Sequence, residues 1–146
     1  MERHPAGSRP ARRGPGDRFT GVVLADEIGA LPNVSAGVVT FEPGARTAWH
    51  RHPGGQIIHA LDGHGRVQAD GAEVHELGPG DTAVCPAGER HWHGAAPDHR
   101  FVQLAIQGPG PDGRAGADWF ELVSDEEYAR TPAAHPGGGS GQRPGH

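Results

Sequence analysis

The chain has one cysteine, one methionine and one tyrosine among its 146 residues. With Cys85 as the sole thiol no internal disulfide can form, which fits a reducing cytoplasm. No apolar run approaches the roughly 20 residues that a membrane-spanning helix needs, and the N-terminus lacks the apolar stretch of a secretory leader. The expectation is a soluble cytoplasmic protein with no membrane contact. Excess positive charge is missing too. Lys and Arg total 13 against 18 Asp and Glu, a net charge of −5 with histidines neutral. Without a basic stripe or an aromatic-plus-basic patch, nucleic acid is excluded as the expected partner.

Glycine, proline and histidine are plentiful, at 25, 14 and 11 residues. Residues 1–17, with Arg9, Arg12 and Arg13, and residues 132–146 have too little apolar content to bury, and both are expected to be disordered tails. Between them, residues 18–131 form one domain. Short apolar runs alternate there with turn signals. Strands are expected at Phe19 to Leu24, Val34 to Phe41, Gln56 to Leu61, Val67 to Ala69, Glu73 to Leu77, Thr82 to Cys85, His91 to Gly94 and Phe101 to Gln107. Asp70-Gly71 marks a hairpin, and Pro79-Gly80-Asp81 and Pro86-Ala87-Gly88 mark turns. Strands recurring every 8–12 residues or so imply an all-β sandwich or barrel. One short helix is expected near the end, with Ser124 as its cap, Glu127 closing a capping box and Pro132 stopping it. Tyr128 is expected to pack back on the strands.

Four histidines stand out by spacing. In a strand, residues i and i+2 point to one face, so His50 pairs with His52 and His91 with His93. Gln56 opens the next strand and can point the same way. Two such pairs on separate strands converge on a barrel interior. Imidazole with an oxygen donor suits Zn, Cu, Fe, Ni and Mn. Three imidazoles and one amide leave positions open for water or substrate, as a catalytic site requires. By the same alternation Phe101, Gln103, Ala105 and Gln107 face into the barrel, and Val102, Leu104 and Ile106 face out. Trp49 and Trp92 should face away from the histidines. His59, His64, His75 and His99 lack paired spacing. Arg46 and Arg51 flank the site as candidate contacts for a substrate carboxylate.

The stretch Gly44-ARTAW-His50-Arg51-His52-PGG-Gln56-IIHALD-Gly63 resembles the first motif of the cupins. Gly80-DTAVC-Pro86-Ala87-Gly88-ER-His91 resembles the second. The resemblance implies a cupin double-stranded β-helix, or jelly-roll barrel, with one divalent metal on His50, His52, Gln56 and His91. Gln56 stands where glutamate is usual, so the donor set is neutral and the ion keeps its full charge. VTFEPGARTAWHRHPGGQ, GERHWHGAAP and LAIQ further resemble small bacterial manganese cupins that act as hydroxynitrile lyases. That likeness implies Mn2+ (with Fe2+, Zn2+ and Ni2+ as alternatives), a small-molecule substrate, a homodimer or homotetramer, and His93, Gln103 and Gln107 as catalytic residues. Gln103 replaces a second pocket histidine. An amide takes no proton near neutral pH, so His93 remains as the base. The functions left open are a Lewis-acid lyase, a dioxygenase-type cupin and a non-enzymatic ligand- or metal-binding cupin.

Overall fold

The computed structural model describes residues 1–134. From position 135 onward the expected C-terminal tail, with His135 and His146, lies outside the described residues. In chain order the strands are β1 (Arg12–Arg13), β2 (Phe19–Thr20), β3 (Val23–Leu31), β4 (Val34–Phe41), β5 (Arg46–Thr47), β6 (His50–Arg51) and β7 (Gln56–Gly63). They continue as β8 (Gly65–Ala69), β9 (Val74–Leu77), β10 (Thr82–Cys85), β11 (His91–Ala95), β12 (Phe101–Gln107) and β13 (Asp118–Trp119), before helix α1 (Asp125–Tyr128).

Two antiparallel sheets face each other. One has the order β1-β3-β4-β12-β7-β10; the other runs β13-β6-β11-β5-β2, with β8 pairing β11 and β9. All the expected strands are present. Several are longer or shorter at one end, and one is divided. The run from Phe19 to Leu24 splits at Gly21, whose φ of +79° turns the chain, so β2 and β3 join different sheets. The second piece then continues to Leu31.

The tail expected to lack structure up to residue 17 also differs. Arg12 and Arg13 pair with Ala25 and Leu24 as an edge strand. Ladder bonds need only backbone groups, so a segment with no apolar face to bury can still extend a sheet.

Alternation along the strands builds the core between the sheets. Val23, Phe41, Ile58, Ala60 and Phe101 point inward and are fully or almost fully buried. Burying a side chain such as Ile58 or Phe41 contributes about 1.5–3 kcal/mol. A second cluster of Trp49, Val74, Trp92, Val123 and Tyr128 lies on the other side of β11. There Trp92 donates to Gln68 Oε1 at 2.8 Å and Tyr128 Oη to Ala95 O at 2.5 Å. Both tryptophans thus sit on the far side from the paired histidines, as the alternation requires. The Ser124–Glu127 capping box is formed in full, and the helix is pinned by Arg46, which donates to Val123 O and Asp125 Oδ1. Among the described residues no helix is long and apolar enough to cross a membrane.

Candidate metal centre

The paired histidines meet inside the barrel. His50 opens β6 and stands across the ladder from His91 on β11, with ring centroids 4.4 Å apart. His52 falls just past β6, yet its ring lies 5.0 Å from that of His50. The turn from His52 to Gln56 depends on two glycines. Gly55 adopts φ +83°, open to glycine at little cost. At Gly54 a Cβ would run into the backbone of Gly108 and Pro109. The turn brings Gln56 into β7 with its side chain buried among the histidines.

Three of the rings are anchored in one way. The Nδ1 of His50 meets Ala48 O at 2.9 Å, that of His52 meets Gly116 O at 2.9 Å, and that of His91 meets Glu89 O at 3.0 Å. A carbonyl oxygen only accepts, so the hydrogen of each neutral imidazole sits on Nδ1 and Nε2 presents a lone pair. Backbone anchoring of this kind is what orients a metal-binding histidine. His52 Nε2 is buried without a partner. His91 Nε2 lies 2.9 Å from Gln56 Oε1, while Gln56 Nε2 donates to Gln107 Oε1 at 2.9 Å. Two acceptors therefore face each other, an arrangement that a cation beside both would satisfy. The donor chemistry fits a divalent metal held by His50, His52, Gln56 and His91.

His93 is different. It shares the cluster, its ring 5.2 Å from His50 and 5.7 Å from His91, and nitrogens of His50, His91 and His93 lie within 4.8 Å of one another. Yet both of its ring nitrogens are buried and unpartnered. No backbone carbonyl fixes its tautomer. Gln103, fully buried on β12, stands next to His93 and raises its proton affinity, yet neither side chain makes a hydrogen bond of full geometry. These groups border a cavity of about 390 Å³ walled by Phe19, Val39, Phe41, Ala105 and Trp119.

An (R)-mandelonitrile lyase of Granulicella tundricola is 47% identical over 133 residues, covering 89% of this chain and the whole of that protein. The cupin domain model matches residues 37–106. This chain belongs to the cupin family. A cupin-like protein of Thermotoga maritima, solved by crystallography, superposes with a TM-score of 0.76 at 38% identity, over 82% of this chain and 92% of that one. An acireductone dioxygenase of Rhodopseudomonas palustris is 53% identical over 47 residues, 30% of this chain and 28% of that protein.

Burial keeps the four clustered histidines of this cupin neutral. It holds His50 well below the ordinary imidazole value, with neighbouring His91 adding to the effect. It pushes His52 down to about 4 against the raising pull of the Gly116 carbonyl. His91 is lowered, burial outweighing its bond to Glu89. His93 lies well below the ordinary value, first through burial and then through His50, His91 and His52. Neutral imidazoles offer lone pairs to a cation and can accept protons.

Not every expectation holds. Arg46 and Arg51 do not reach the cavity. Arg46 stacks over Tyr128 and pairs with Asp125, and Arg51 pairs with Asp118. Gln107 borders the cavity, but its amide is engaged at both ends, by Gln56 and by Ser35 Oγ at 2.8 Å. Cys85 is buried, and desolvation pushes its thiol up to about 12, leaving it unreactive. Sequence reasoning missed three participants. Ser35 ends the Gln107 bond, Gly116 anchors His52, and Trp119 stacks on His50 at 4.7 Å. None lies in a motif; each reaches the site only through cross-strand pairing or through the segment after β12.

Proposed function

We propose that this cupin is a metal-dependent lyase of the hydroxynitrile-lyase type, cleaving a small cyanohydrin to a carbonyl compound and hydrogen cyanide. The observation that carries the reading is the contrast between three anchored histidines beside Gln56 and one unanchored histidine, His93, bordering the same cavity. The 47% identical mandelonitrile lyase supports it. In this reading His50, His52, Gln56 and His91 hold one Mn2+, with Fe2+, Zn2+ or Ni2+ as the alternatives that ligand type alone leaves open.

A bound divalent ion supplies Lewis acidity, polarising the substrate oxygen and lowering the pKa of its hydroxyl. The residues do the rest. His93, kept neutral by burial, takes the hydroxyl proton on a free ring nitrogen. The O–H pair becomes the second C–O bond of the carbonyl, and the C–C bond breaks with its electrons leaving on cyanide. The imidazolium returns its proton to cyanide, so hydrogen cyanide departs and His93 is restored. Gln103 has one donor and one acceptor free to orient the substrate or the leaving nitrile. Phe41, Val39 and Ala105 exclude water and receive the organic group.

A second reading, a dioxygenase-type cupin, is favoured by the acireductone dioxygenase stretch. The neutral donor set weighs against it, because no carboxylate is present to support a higher oxidation state of the metal. Two further features belong to the proposal. The chain pairs as a homodimer or homotetramer through the outer face of β12 and its neighbours, and it works in the cytoplasm, where a protein without disulfides is at home.

The test is aldehyde release from mandelonitrile at mildly acidic pH, which suppresses spontaneous decay. Release by Mn2+-loaded protein well above that by the metal-stripped protein supports the lyase. Oxygen consumption on substrate addition without aldehyde release favours the dioxygenase reading.

A further inference from the structure

Gln107 was expected to touch substrate, yet its amide is engaged elsewhere. Ser35 on β4, Gln107 on β12 and Gln56 on β7 stand directly opposite one another on three adjacent strands. Directly paired side chains lie on one sheet face within contact distance. Here they make a continuous row of hydrogen bonds. Gln56 Nε2 donates to Gln107 Oε1 at 2.9 Å, and Gln107 Nε2 donates to Ser35 Oγ at 2.8 Å. At the inner end of the row, Gln56 Oε1 faces His91 Nε2.

We infer that Gln107 and Ser35 are positioning residues that hold the Gln56 amide with its oxygen toward the histidines, and thereby set the metal affinity of the site. The inference rests on the reading of Gln56 as a ligand. An amide is two-faced. Its oxygen and nitrogen are alike in size, and a half-turn about the terminal bond exchanges them. In the turned state Gln56 Nε2 would donate to His91 Nε2. That pair would then be satisfied with no cation, and N–H hydrogens would point where a cation belongs. The Gln56 amide is held the other way because Gln107 presents it an acceptor. Gln107 presents that acceptor while its own nitrogen donates to Ser35 Oγ, and because the row links the two amides, Gln56 can turn only if Gln107 turns with it. The row therefore does for the amide what the carbonyls of Ala48, Gly116 and Glu89 do for the imidazoles. A carboxylate ligand, with two equivalent oxygens, needs no such device. The row is what an amide at position 56 requires.

The experiment titrates Mn2+ alone into the full-length, metal-stripped chain and follows free Mn2+ by electron paramagnetic resonance. Gln107→Met keeps the volume and removes both hydrogen bonds. It is expected to weaken Mn2+ binding by about 10–100-fold, the usual cost of losing a ligand's orienting partner. Ser35→Ala acts in the same direction and more weakly. Gln107→Glu is the rescue. Its carboxylate accepts from Gln56 Nε2 and from the Ser35 hydroxyl, and it cannot accommodate the turned amide, so binding stays at least as tight as in the unaltered chain. A residue that only fills space would give the reverse order, with methionine tolerated and glutamate not, and that order overturns the inference. Thermal melts of the metal-free variants confirm that each affinity refers to folded protein. Gln56→Met separates this inference from the reading beneath it. If Gln56→Met leaves Mn2+ binding unchanged, Gln56 is not a ligand and both fall. If Gln56→Met weakens binding while Gln107→Met leaves it unchanged, Gln56 is a ligand and the positioning role alone is overturned.

Discussion

The Nε2 of His91 and the Oε1 of Gln56 face each other across 2.9 Å, and neither has a hydrogen to give. The His91 hydrogen is on Nδ1, held by Glu89 O at 3.0 Å. The Gln56 hydrogens are on the nitrogen turned to Gln107. Burial lowers the pKa of His91, so a proton on Nε2 does not resolve the conflict at neutral pH. With the amide in this orientation, a cation beside both lone pairs satisfies them. His52 Nε2, buried and without a partner, offers a third lone pair beside them.

Gln56→Glu replaces a neutral donor with a charged one. Mn2+ binding is expected to tighten by about tenfold or more, equivalent to about 1.4 kcal/mol. The same charge weakens the Lewis acidity of the ion, so cyanohydrin turnover falls. Calorimetric titration and steady-state rates check the two halves; equal affinity in both proteins would count against Gln56 as a ligand.

Substitutions at His93 and Gln103 test the proposed division between chemistry and metal binding. His93→Ala is expected to leave Mn2+ affinity nearly unchanged and to lower turnover by about 10²–10⁴-fold, the usual contribution of a positioned base. Gln103→His adds a second proton acceptor beside the cavity and should raise turnover. Loss of Mn2+ binding in His93→Ala would instead make His93 a ligand.

The histidines also set how the metal-free protein responds to acid. His52 falls to about 4 in the folded chain from 6.5 unfolded, and His50, His91 and His93 shift the same way. Between these values the unfolded state binds more protons, so stability is intact above pH 6.5 and declines as pH falls toward 4. Melting temperatures of metal-free protein should drop steadily across that window. A melting temperature independent of pH from 6.5 to 4 would contradict the burial of neutral imidazoles.

The outer face of the β10-β7-β12-β4 sheet carries an apolar row. Val84, Ile57, Ile106 and Ala36 stand in register across it, with Val84 70% and Ile57 43% exposed. Patches of this kind mark interfaces. Light scattering at micromolar concentration should report a dimer or tetramer, and Ile57→Asp with Val84→Asp should yield folded monomer. A monomer before any substitution would remove the pairing.

Much of this site is legible in the chain itself, because period-two alternation states which side chains share a face. His50 with His52, His91 with His93, and Gln103 with Gln107 were all readable that way, as was the outward placement of Trp92. What alternation does not give is register. The contacts of Gln107 with Gln56 and Ser35 span 51 and 72 residues of chain, and they exist only because β12 pairs β7 and β4 at one offset. A one-residue slip of β12 would send Gln107 to the opposite face, away from Gln56 and Ser35. The Gly116 anchor and the Trp119 stack were hidden for a similar reason, since they come from a segment with no motif of its own. Arg12 and Arg13 read as tail because composition reports side-chain burial, whereas their strand rests on backbone bonds to β3.

The most direct test of the site is anomalous diffraction at the manganese edge from crystals of Mn2+-loaded protein. One peak is expected within bonding distance of the Nε2 atoms of His50, His52 and His91 and of Gln56 Oε1, with His93 unbound and open to the cavity. A peak bonded to His50, His91 and His93, with His52 and Gln56 free, would contradict the ligand set and remove His93 as the base.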